Sequence, residues 1–331
     1  MVMFKSRKHI GLLSAILAIS LTASACGGNK ESTNQVAGSA AETSAPGSST
    51  AAKPVAEKKV KDAMGNEVTI PANPKRIIAS YLEDPLLVLG EKPVAQWMVA
   101  NGTQLYLEKE LSGVPTIPST LPPETVLSFS PDLLLIGNES QVAKGLYEQY
   151  SKIAPTYVLG DEIVGDWRKT LLKMAELLNK TDIAEKALKE YEDKAKTTRD
   201  KVKQTIGDKS AAILWLSKKT FYVVNGKVAS GAVLYGDLGM KSPNILAVLP
   251  DAKANWVSIS LEKLAELDAD YIFLVNSDKG QAGNLEEPLW RNIPAVKAGH
   301  VYEFDRSGSW LYNGLIAGSK VMDDVVKSLS K

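Results

Sequence analysis

The chain has 331 residues, of which 39 are basic and 38 acidic, for a formal net charge of +1. That balance removes the electrostatic case for a nucleic-acid binder, and 44% hydrophobic with 23% charged residues is an ordinary globular composition. One cysteine and two histidines, His9 and His300, exclude a disulfide framework, a cysteine-rich zinc site and a histidine-clustered metal site. A metal handled by this chain must be gripped by carboxylates or tyrosines, or arrive already held by something else.

In chain order, the first 25 residues read as an export signal. Lys5, Arg7 and Lys8 form a positive start, and Ile10 to Leu21 an apolar stretch too short to cross a bilayer of roughly 30 Å. Small residues at Ala23 and Ala25 suit a signal peptidase, and the following Cys26 resembles the acylated cysteine of a bacterial lipobox. The alternative is a secreted protein with a free thiol, a liability in an oxidising compartment. Residues 26–57 are rich in Ser, Ala, Thr, Gly and Asn, and read as a lipidated cysteine on a disordered tether.

From Val60 onward short apolar strands alternate with amphipathic helices. Arg76 to Ser80 reads as a buried strand, and Asp84 before Pro85 as the N-cap and first residue of a helix ended by Gly90. Pro93 to Trp97, Asp132 to Ile136 and Tyr157 to Leu159 are further strands, with a helix over residues 142–152. Trp167 to Leu178 is an amphipathic helix, broken at Asn179 and Lys180. Thr181 to Ile206 is the longest helical run, about 39 Å at 1.5 Å per residue, ended by Gly207. Beyond it, Ala211 to Leu216, Phe221 to Val224, Tyr271 to Val275 and Val301 to Phe304 are strands, and 231–239, 260–267 and 315–330 helices. The pattern predicts an α/β fold of two lobes, 58–180 and 207–331, with mainly parallel central sheets joined by one long backbone helix over 181–206.

One unit recurs in the two halves. Glu124 at a helix start is followed eight positions later by Asp132 entering a strand, and Glu262 by Asp270 in the same way. An acid in a first helical turn is favoured by the helix dipole alone. Equivalent exposed acids in two lobes also suit docking onto a partner with two similar basic sites.

Six segments then carry a resemblance: Val68–Ile78, Leu89–Val94, Pro131–Ile136 with Glu124 upstream, Lys152–Thr156, Ile259–Leu264 and Leu289–Val296. In their order and spacing they resemble the solute-binding lipoproteins of siderophore and cobalamin ABC importers, the class whose lobes are joined by a single helix. The resemblance implies an interlobe ligand cleft, with Glu124 and Glu262 meeting arginines of a permease dimer that works with its ATPase. It implies a monomer at the outer face of a cell membrane, held by lipid at Cys26, with a tether length suited to a Gram-positive surface. It implies ferric iron carried only inside its chelator, with no cofactor and no metal site.

Candidate cleft residues lie in loops at strand ends. From the first lobe they are Tyr81, Trp97, Asn101 and Gln104; from the second, Trp215, Lys218, Tyr222, Trp256, Arg306, Trp310 and Tyr312. Ser309 to Gly314 is similar to the Trp-x-Tyr-Gly segment of iron-hydroxamate receptors, which implies that Trp310 and Tyr312 stack on the ligand. Trp167 and Trp290 are expected in the core. Aromatic walls with few charges suit a trihydroxamate, whereas a tris-catecholate of about −3 calls for converging cations, of which Lys218, Lys219 and Arg306 are the candidates. Ferric citrate, cobalamin and haem are the alternatives. No phosphate-binding glycine loop and no nucleophile motif is visible, which disfavours an enzyme.

Overall fold

The computed structural model describes residues 56–330 except 101, 225, 249–255 and 281–283. The expected signal segment, Cys26 and all but the last two residues of the expected tether lie outside the described residues. Lys53–Lys331 form one unit, and within it each half has its own central sheet.

The first half opens with an antiparallel hairpin, β1 (Lys58–Lys61) and β2 (Glu67–Ile70), whose Val68 and Ile70 face inward while Glu67 and Thr69 face out. The central strands are β3 (Ile77–Ala79), β6 (Leu133–Ile136) and β7 (Thr156–Val158), parallel and paired in that order. A parallel pair, β4 (Gln96–Met98) and β5 (Thr116–Pro118), flanks them through a bridge from Ile78 to Ala95. The residues of β6 are all buried, as a parallel strand covered on both faces requires.

The second half carries β8 (Ala211–Ser217), β9 (Thr220–Val224), β10 (Trp256–Ile259), β11 (Tyr271–Asn276) and β12 (Val301–Asp305), ordered β10-β9-β8-β11-β12. The pairs β8–β11 and β11–β12 are parallel. The other two pairings are antiparallel, because β8 turns directly into β9 through Lys218 and Lys219. Both lysines sit at positive φ, 51° and 62°, a turn that favours Asn and Gly. Here the Asp278 carboxylate accepts both their backbone N–H groups, at 2.8 and 2.6 Å, and so supports the turn.

The internal repeat has a structural meaning. Asp132 immediately precedes β6, and its carboxylate accepts from the N–H groups of Lys75 and Arg76 at the entry to β3. Asp270 immediately precedes β11, and its carboxylate accepts from the N–H of Ser210 at the entry to β8. Each aspartate therefore sets the register of its strand against the neighbouring parallel strand. Glu124 and Glu262 occupy the same place in the two helices upstream, Pro123–Ser128 and Leu261–Leu264, and both are exposed.

The long helix runs from Thr181 to Ile206. It starts after Asn179, at φ 57°, has ended the preceding helix, Trp167–Leu177. Its buried face is Ala184, Tyr191, Ala195, Thr198 and Val202, at helical spacing. A second helix, Leu315–Leu329, also touches both halves. Val321, Met322 and Val325 join the core of the second half, while Ala317 packs with Tyr106, Leu107 and Leu111 of the first. Among the described residues, no helix is long and apolar enough to cross a membrane.

Candidate functional site

A cavity of about 450 Å³ opens between the halves. Ser80 and Tyr81, directly after β3, and Gly137 and Asn138, directly after β6, form one wall at the carboxyl ends of parallel strands. Trp256 and the Leu311–Leu315 loop form the opposite wall. Trp167 and Thr170, from the helix before the long one, close the back.

Tyr81 stands at φ 60°, which a bulky non-glycine residue adopts only when its surroundings impose it. Its ring lies 6.3 Å from that of Tyr312, and Tyr312 lies 4.8 Å from Tyr106, so a line of tyrosines crosses from one half to the other. Burial pushes the Tyr81 phenol well above its ordinary range and the Tyr312 phenol upward, so both are neutral hydroxyls at physiological pH.

The sequence-derived residues separate into three groups. Tyr81, Trp256 and Tyr312 line the cavity, as does Gln104. Trp215 and Tyr222 face each other across the β8–β9 pair at 5.1 Å, and Trp215 meets Trp256 edge-on at 5.4 Å. Neither is among the cavity-lining residues, although Trp215 touches Trp256, and the Trp215 indole N–H is taken by Ser277 Oγ at 2.8 Å. Arg306 follows β12, and its guanidinium comes within 4.0 Å of where a side-chain carbon on Gly102 would stand, so it reaches the first half from the second.

Trp97 and Trp310 do not line the cavity, contrary to the sequence reading. Trp97 is packed among Ile78, Ile117 and Val126 in the first half, and its backbone N–H is held by Glu83 Oε1 at 2.7 Å. Trp310 is 0% exposed. It stacks on Phe304 at 4.4 Å and Phe273 at 5.1 Å, and donates its indole N–H to Asp324 Oδ2 at 2.9 Å. The tight turn in which the Tyr312 N–H bonds the Ser309 carbonyl sends Trp310 into the core and Tyr312 into the cavity. Lys218 and Lys219 belong to the β8–β9 turn and are not among the cavity-lining residues. Asn101 lies outside the described residues.

Trp167 is an aromatic cavity residue that sequence reasoning missed, beside polar ones such as Ser80, Asp84, Gln141 and Asn313. Expected in the core, it lines the cavity, edge-on to Tyr191 at 4.9 Å with the Arg168 guanidinium 4.2 Å over its ring. The available signal was its position as the first residue of a helix capped by Asp166, where no preceding turn wraps the side chain. Trp290 is in the core, stacked on Phe221 at 5.2 Å.

Two adjacent carboxyls meet at the cavity, Asp84 in its lining and Glu83 next to it in sequence. Asp84 is wholly buried and accepts from the Tyr106 hydroxyl at 2.9 Å and from the N–H groups of Ile316 and Ala317 at 3.2 and 3.0 Å. Burial pushes its carboxyl up to about 6 against those hydrogen bonds. Glu83 beside it is pushed up to about 8, again by burial. Asp84 does not cap its own helix, Glu83–Val88, as expected from the sequence; it caps the Leu315–Leu329 helix of the other half. Among the described residues, no group of His, Cys, Asp and Glu is arranged to hold a metal ion.

Two lobes, a long connecting helix and an aromatic interlobe cavity define a solute receptor of the substrate-binding class. Residues 80–307 match the family described as periplasmic binding protein, and the chain belongs to that family, whose members bind substrates and are not enzymes. It is 27% identical to the probable siderophore-binding lipoprotein YfiY of Bacillus subtilis, over 96% of this chain and 97% of that protein. It is 28% identical to the iron(3+)-hydroxamate-binding protein FhuD of Bacillus subtilis, over 98% of both chains. Among solved structures it resembles a Bacillus subtilis protein of the FhuD fold family, the periplasmic binding component of a Fep/Fec-like ferrichrome ABC transporter. That likeness has a TM-score of 0.69 and 27% identity, covering 82% of this chain and 100% of the other.

Proposed function

We propose that the cavity takes a ferric hydroxamate, recognised through its organic shell, and that the loaded protein delivers it to an ABC permease. The carrying observation is the cavity's chemistry. Its described lining is tyrosine, tryptophan, amides, the hydroxyls of Ser80 and Thr170 and apolar side chains, with Asp84 the one charged residue and no lysine or arginine. A ferric trihydroxamate offers a nearly neutral chelate on an apolar frame, which suits such walls; a tris-catecholate near −3 calls for several converging cations, and no lysine or arginine is among the described lining residues. The volume falls within the usual range of small-ligand sites, about 300–1,000 Å³. The relatives' names support a ferric chelate, hydroxamate for two of them and ferric citrate for another.

Iron enters this reading as cargo, bonded to the chelator and not to the polypeptide. Glu124 and Glu262, exposed at equivalent places in the two halves, dock the permease dimer. Cys26 carries the lipid that holds the monomeric receptor at the outer membrane face. Tryptophan fluorescence tests the ligand, since Trp256 and Trp167 line the cavity. Titration with ferrioxamine B, ferrichrome, ferric enterobactin, ferric citrate, cobalamin and haemin should give submicromolar quenching by the hydroxamates alone. Tight binding of the catecholate or of cobalamin with no hydroxamate response overturns the reading.

A further inference from the structure

Most polar side chains of the cavity wall are already engaged. Ser80 Oγ donates to Gln141 Oε1 at 2.9 Å, and Gln141 Oε1 also accepts from the Gly137 N–H at 3.1 Å. Asn313 Oδ1 accepts from the Ala229 N–H at 2.7 Å. Asp84 is filled by the Tyr106 hydroxyl and two helix N–H groups. Gln104 differs. It lines the cavity and is only 4% exposed, yet its Oε1 has no hydrogen-bond partner among the described residues. Of the buried side-chain oxygens without a partner among the described residues, it alone belongs to a cavity-lining residue.

A buried amide oxygen without a donor opposes folding, and folded chains pair nearly all such groups. A residue kept in that condition at a ligand wall is completed by the ligand. We propose that Gln104 is a specificity-determining residue, accepting a hydrogen bond from a peripheral N–H of the bound chelate, an amide or an ammonium. The proposal rests on the siderophore reading of the cavity. The donor is nitrogen because the acidic O–H groups of such a chelator are deprotonated and spent on iron, which leaves N–H groups at the edge. Asp84, on the same cavity, adds negative potential that favours a donor and disfavours carboxylates there.

The test uses the full chain with Gln104→Met, which keeps size and removes the acceptor, and Gln104→Glu, which restores one. Affinity for ferrioxamine B, which carries amide N–H groups and a terminal ammonium, is read by tryptophan fluorescence, and apo stability by thermal unfolding. The Met variant should weaken binding about tenfold. Its apo melting temperature should hold or rise by about 2 °C, because an unpaired buried polar group has gone. The Glu variant should bind within about threefold of wild type. If wild type binds no hydroxamate, the reading of the cavity fails. If wild type binds and the Met variant binds equally well, Gln104 has no such role. Should the Met variant lose stability and affinity together, the Glu variant decides: retained affinity supports the assignment, and a loss as large as that of Met overturns it.

Discussion

A side-chain carbon on Gly314 would stand 2.3 Å from the carboxyl carbon of Asp84 and 2.4 and 2.5 Å from its two oxygens. Asp84 belongs to the first half of the protein and Gly314 opens the last helix of the second. The carboxylate fills the space where a Cβ would lie in order to reach the N–H groups of Ile316 and Ala317. Both residues line the cavity, so the contact that couples the halves is also part of its wall. Opening the cleft at this point means breaking those bonds, in addition to bending the Thr181–Ile206 helix.

Gly314→Ala should therefore be strongly destabilising. The residue has φ 145°, and the added methyl meets a carboxyl packed against backbone. Asp84→Ala loses the cap and leaves the Tyr106 hydroxyl and two helix N–H groups without their acceptor. Each should lower the unfolding free energy by about 2–4 kcal/mol, measured by urea denaturation. A loss below about 0.5 kcal/mol in both would mean that the cap does not hold the helix.

The two buried acids set a pH dependence of a particular sign. Burial raises Glu83 to about 8 from an ordinary 4.5, so the folded state holds a proton that the unfolded state has released. The contribution is fully present below pH 4.5 and is lost as pH rises toward 8. Asp84, at about 6, adds the same sign over a lower window. Glu83→Gln cannot release that proton. The stability of this variant relative to wild type should improve by about 1 kcal/mol or more between pH 5 and pH 8. A pH-independent difference would show that Glu83 does not titrate in this window.

Trp310 and its neighbours predict two contrasting phenotypes. Tyr312→Ala and Trp256→Ala should weaken ferric hydroxamate binding at least tenfold with little loss of stability, since both side chains are half-buried on the cavity wall. Trp310→Ala removes a fully buried indole from a stack with Phe273 and Phe304 and should cost about 3–5 kcal/mol of stability. Binding and thermal unfolding measured on the same three variants separate wall from core.

Docking and ligand capture should separate in the same way. Glu124→Ala combined with Glu262→Ala should leave ligand affinity unchanged and abolish siderophore-dependent iron uptake in cells. Normal uptake by the double variant would remove both acids from the docking surface.

The alternation of apolar runs with amphipathic helices was enough to read the α/β architecture. The limits of the Thr181–Ile206 helix were legible because helical spacing and a terminal glycine are local signals. The repeat around Asp132 and Asp270 was visible as spacing, although its purpose, holding the entry of a neighbouring parallel strand, was not. The antiparallel β9 was harder to foresee, because its turn uses two lysines and depends on Asp278, about sixty positions away.

The site was less legible for the same reason. The sequence determined which residue types were available: aromatics in strand-end loops, few cations, one histidine beyond the export segment. It could not determine which side of a loop each would face. Trp310 and Tyr312 are two residues apart in one glycine-flanked segment, and only the packing of Phe273 and Phe304 decides that the first is core and the second wall. Asp84 carries every local mark of a cap for its own helix, yet it caps another helix from more than two hundred residues along the chain. Local propensity depends on neighbours in sequence; burial and hydrogen-bond pairing depend on neighbours in space, and those exist only once the two halves have come together.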